Sequence, residues 1–125
     1  MNLPALHQSI VDNHYEQFVG LIEQGADVNQ LDPVMGNAPL HIAAQQSSTQ
    51  WVSKLLESGA FINLQTPKHG VTPLMVAVWH GHTDAAKALI EAGAEVALKG
   101  FDGKTPLGLA KEYHYAEIVE LLENK

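Results

Sequence analysis

The 125-residue chain has no cysteine, no arginine and no long apolar run. Without cysteine there are no disulfides and no thiolate metal sites, which suits a reducing compartment. The seven basic residues are all lysines (Lys54, Lys68, Lys87, Lys99, Lys104, Lys111 and Lys125), set apart along the chain against fourteen Asp and Glu, for a net charge of −7. Nucleic-acid binding rests on clustered Lys and Arg that neutralise phosphates, so this composition argues against DNA or RNA as a ligand. A membrane-crossing helix needs about 18 or more consecutive apolar residues. No stretch approaches that, and the first seven residues lack the basic-then-apolar layout of a secretory signal. The expectation is a cytoplasmic protein that does not engage a membrane.

Catalytic signatures are missing as well. There is no G-x-S-x-G, no phosphate-binding P-loop and no dinucleotide fingerprint. Pairs such as His82 with Asp84 are explained by helix capping and the helix dipole. Seven histidines raise the question of a metal, above all His69, His80 and His82, but no H-E-x-x-H spacing is present. The reading is no enzyme, no cofactor and no metal. At 46% hydrophobic residues and a mean hydropathy of −0.06, the chain can nevertheless build a continuous core as one domain.

What the chain has is repetition. Ala38-Pro39-Leu40, Thr72-Pro73-Leu74 and Thr105-Pro106-Leu107 follow a degenerate Pro4-Ala5-Leu6, with leucines stepping by 34, 34 and 33 residues. Gly25-Ala26, Gly59-Ala60 and Gly93-Ala94 keep the same beat, each 19 residues after a leucine. Two markers in phase at a period near 33 define a solenoid, whose units must stack to bury their apolar faces. The third copy shows the unit. Thr72 caps a helix that Pro73 opens and His80-Gly81 closes. A second amphipathic helix runs from Thr83 to Ala92, with Ala86, Leu89 and Ile90 inward, until Gly93 stops it. A polar, extended finger with Gly100 and Gly103 follows.

Thr72-Pro73-Leu74, Gly81-His82 and Gly25-Ala26-Asp27-Val28-Asn29 resemble the ankyrin-repeat pattern over essentially the whole chain. The resemblance implies an all-α solenoid of about four repeats forming a single domain, at about 1–31, 32–66, 67–99 and 100–125. Asn13 stands where the inter-helix glycine is expected, so the first copy reads as an N-terminal cap. Ala38 replaces the capping threonine and Ser47-Ser48 replace Gly-His, making the second copy the least ideal. Glu123 stands where Ile22, Leu56 and Ile90 stand earlier, a polar face for a terminal repeat. The interval from Gly25 to Ala38, like that from Gly59 to Thr72, is 13 residues, but Gly93 to Thr105 is 12, so two fingers hold an extra residue. Family histidine positions His41 and His82 imply hydrogen bonds between a helix and an adjoining turn or unit.

The resemblance also implies a concave partner-binding strip. It transfers to Val11, Asp12, Gln45, Gln46, Trp79, His80, Glu112 and Tyr113 at first-helix ends. On the fingers it selects Val34, Met35, Asn37, Lys68, His69, Val71, Phe101, Asp102 and Lys104. Trp79, Phe101 and Tyr113 are hot-spot candidates, because surface aromatics dominate interface energetics. Each has a packing alternative, Phe101 as a staple to the neighbouring finger. Trp51, aligned with Ala85 and Ile118, reads as core. The functional expectation is a non-catalytic, monomeric protein-binding module. With no attached domain and a charge that favours a basic partner, it reads more sharply as a small inhibitor or adaptor of a basic toxin or effector enzyme. A structural oligomerisation unit and a histidine-based metal or enzyme site stand as alternatives.

Overall fold

The computed structural model describes residues 3–46 and 48–124, which form eight helices and, among the described residues, no strand. They pair as α1 (Ala5–Val11) with α2 (Tyr15–Glu23), α3 (Pro39–Ala43) with α4 (Gln50–Glu57), α5 (Pro73–Trp79) with α6 (Thr83–Glu91), and α7 (Pro106–Glu112) with α8 (Ala116–Glu123). The helix starts follow local chemistry. The Thr72 hydroxyl accepts the Met75 amide at 3.2 Å, and that of Thr105 accepts the Gly108 amide at 3.0 Å. Ala38 offers no such oxygen, and α3 spans only five residues. At the turns inside the pairs Gly81 has φ +66°, while Asn13 (φ +60°) and His114 (φ +61°) take the same left-handed backbone. Ser47 lies outside the described residues, so the Ser47-Ser48 substitution is met only at Ser48.

First helices stack as one layer, α1 on α3 on α5 on α7. Second helices form the other, α4 on α6 on α8, with α2 joined to α4 through Tyr15, Phe18 and Trp51. The Trp51 ring meets Phe18 and Tyr15 edge-on at 5.0 and 5.1 Å and is buried, so its core assignment holds. A single core of Leu6, Ile10, Leu40, Leu55, Leu74, Val78, Leu89, Ile118 and their neighbours runs between the layers. Glu123 is exposed, 3.7 Å from Lys111.

Side-chain struts replace a strand ladder between units. The Asn29 carboxamide accepts the Phe61 amide at 2.8 Å, and Asn63 accepts the Glu95 amide at 2.9 Å. His82 Nδ1 lies 3.1 Å from the Gln46 carbonyl. His41 Nδ1 accepts the Ala38 amide at 3.0 Å, which leaves the proton on Nε2 to donate to the Val71 carbonyl at 2.8 Å. Burial lowers the His41 pKa against the effect of these bonds, favouring the neutral ring they require. Helix start and finger are thereby clamped by one ring, as the family pattern implies.

Candidate functional site

The fingers carry the variation. Fingers one (32–37) and two (66–71) each hold six residues: the Asp32 amide donates to the Asn37 carbonyl at 2.9 Å, and Thr66 to Val71 likewise at 2.9 Å. Finger three (100–104) holds five, with Gly100 donating to Lys104 at 2.9 Å and a tighter turn at Gly103. The length difference read from glycine spacing therefore lies within the loop itself. Asp32 braces the first tip, accepting the amides of Val34, Met35 and Asn37 at 2.9, 2.6 and 3.0 Å. Burial pushes its carboxyl up, but the three amides, aided by His7, outweigh that and hold its pKa below the usual range. Nothing in the sequence reading singled out Asp32, although an acid opening a glycine turn is a recurrent turn signal.

The histidine clamp changes along the stack. At His7, Nε2 reaches the Asn37 carbonyl at 2.8 Å, but buried Nδ1 finds no partner among the described residues, since the corresponding cap residue is Pro4 and has no N–H. At the third position stands Met75. Its sulfur takes the Thr72 amide at 3.5 Å, as the histidine nitrogen does, but a thioether cannot donate onward to finger three. Where that strut is missing and the finger is one residue shorter, a cavity of about 450 Å³ opens, lined by His69, Val71, Met75, Trp79, Gly100, Phe101, Asp102, Lys104, Leu109 and Tyr113.

Seven sequence-selected residues meet there: His69, Val71, Trp79, Phe101, Asp102, Lys104 and Tyr113. Trp79, Phe101 and Tyr113 keep 52%, 65% and 42% of their surface exposed, so none of them is a core ring. Phe101 is nevertheless also stapled. Its amide donates to the His69 carbonyl at 3.0 Å, and its ring lies against Gly70, as Pro67 lies against Gly36 one unit earlier. Met75 and Leu109 complete the floor and were missed. Each lies four residues before a selected aromatic, Trp79 or Tyr113, and so shares its helix face.

The other selected residues lie outside the lining. Glu112 is adjacent, its carboxylate 3.1 Å from Lys104 Nζ, and this hydrogen bond and charge raise the Lys104 pKa. Asp12 accepts from the Gln8 carboxamide at 3.0 Å. Met35 and Lys68 are exposed at finger tips and Gln45 beyond α3, while Asn37 and Gln46 give their carbonyls to His7 and His82. The exposed His80 ring stands 6.0 Å from His82, and partial burial, then the His82 charge, lower its pKa. Among the described residues no three His, Asp or Glu side chains are grouped to hold a metal ion, and no helix is long and apolar enough to cross a membrane.

No curated protein matches the chain. A family model, Ankyrin repeats (3 copies), matches residues 6–100, which spans α1 to the start of finger three. Repeats of this kind generally mediate protein–protein interactions and are typically non-catalytic. With paired helices in two layers, fingers at a period of 33–34 and this match, the chain belongs to the ankyrin-repeat family.

Proposed function

We propose that the chain is a non-catalytic binding module that docks a basic protein on the cleft between fingers two and three, acting as an inhibitor or adaptor of that partner. The supporting observation is the convergence of three exposed aromatics and four finger residues on one cavity. Large rings at a surface depression supply contact area with few rotatable bonds, the profile of interface anchors. The net charge of −7 speeds encounter with a positively charged surface, and Asp12 and Asp102 lie among the residues selected for contact.

The test expresses tagged wild type and Trp79→Ala, Phe101→Ala and Tyr113→Ala in the native host. Wild type should retain a basic protein that at least one aromatic variant loses at an unchanged melting temperature. Retention of the same protein by all three variants defeats the cleft as its docking site.

A further inference from the structure

The cleft is chemically uneven. Its large rings are Trp79, Phe101 and Tyr113, beside the smaller His69 imidazole, and Val71, Met75 and Leu109 form an aliphatic floor. About 450 Å³ lies at the low end of the roughly 300–1,000 Å³ found for ligand sites, space for one or two side chains and too little for a helix. Lys104 is the one lysine of the lining, and its charge is already met by Glu112 at 3.1 Å. Asp102 commits Oδ1 to the Lys104 amide at 3.0 Å, which leaves Oδ2 able to accept from an incoming group.

Two carboxylates therefore stand against one ammonium, on a molecule of net charge −7. An anionic occupant meets a negative surplus. An aliphatic one covers the floor but offers no donor to Asp102 Oδ2. A guanidinium answers each part: it stacks flat on aromatic faces, forks onto a carboxylate and carries an apolar stem for the floor. An ammonium is a compact, strongly hydrated charge and loses more on entering such a place. We infer that the cleft is a receptor for one arginine side chain of a partner segment, inserted among Trp79, Phe101 and Tyr113 with its guanidinium on Asp102. This rests on the cleft being the docking site. The chain has no arginine, so a second copy of itself cannot supply the group.

The experiment titrates the full ¹⁵N-labelled chain with three capped tripeptides, each carrying arginine, lysine or leucine between two glycines. The Trp79 indole and Phe101 amide signals are followed. The arginine peptide should shift both saturably, with a Kd at least about fivefold below those of the other two. Asp102→Asn should weaken it about tenfold, the value of a hydrogen bond to a charged group, without changing leucine binding. Lys104→Met should tighten arginine binding, because it removes a like charge and frees Glu112, and that gain keeps the proposal testable if Asp102→Asn disturbs the fold. Equal binding of the three peptides, tighter binding of leucine, or no gain in Lys104→Met overturns the arginine assignment while the cleft remains a docking site. If none of the peptides moves the Trp79 and Phe101 signals, the docking site falls as well.

Discussion

Gly70 sits at φ +67°, and a Cβ there would overlap the Phe101 ring, whereas Gly59 at φ +94° faces open space. Alanine at either position imposes an unfavourable backbone, worth about 1–3 kcal/mol. Both Gly70→Ala and Gly59→Ala should therefore lower the melting temperature, but only Gly70→Ala should displace the Phe101 ring and shift the Trp79 indole resonance. Equal spectra for the two variants would show that Phe101 does not depend on Gly70. Asp32 makes a different kind of contribution, by accepting three amides that find no other acceptor among the described residues. Asp32→Ala should cost about 1–3 kcal/mol in urea unfolding at pH 7. Since the folded pKa of Asp32 lies below its unfolded value of about 3.9, its stabilisation is complete above that pH and fades as acid protonates the folded carboxylate. The gap between wild type and Asp32→Ala should shrink on going from pH 7 to below pH 4.

At the scale of elements, helix starts and stops were legible because Thr-Pro and glycine act locally. Thr72, Pro73 and Gly93 bound their helices as read. The cleft was only half legible. Its exposed aromatics could be found by transferring family positions, but the opening itself comes from a non-local coincidence: Met75 replaces a clamp histidine where finger three is one residue short. Neither change alone announces a cavity. If finger length sets the clamp, Met75→His alone should leave its Nε2–H unpaired, at a cost of about 1–3 kcal/mol. Inserting one residue between Asp102 and Gly103 restores the six-residue finger and should bring the Lys104 carbonyl to that Nε2–H, as the Val71 carbonyl meets His41. The double change should recover most of that loss and fill the cleft. Strict additivity of the two changes in urea unfolding would refute the coupling of finger length to the clamp.

For the whole molecule, what matters is how each unit holds its neighbour. The period of 33–34 was enough to read the stack, because it reflects the same contacts made repeatedly, but it carries no information on which interface is strongest. That depends on particular side chains. Between the first two units the Trp51 ring meets Tyr15 and Phe18, and His7 ties α1 to finger one. The aligned position in the third unit is Ala85, which is too small to make an equivalent bridge. Stability in a stack is close to a sum of unit and nearest-neighbour terms, so deleting one interface should release the unit beyond it. Trp51→Ala removes a fully buried ring, at about 3–5 kcal/mol. The loss should fall unevenly: hydrogen exchange in α1 and α2 should accelerate most, while α6 and α8, two and three units away from Tyr15 and Phe18, keep most of their protection. Uniform acceleration across all helices would instead mean that the chain opens only as a single cooperative block, with no separable first unit.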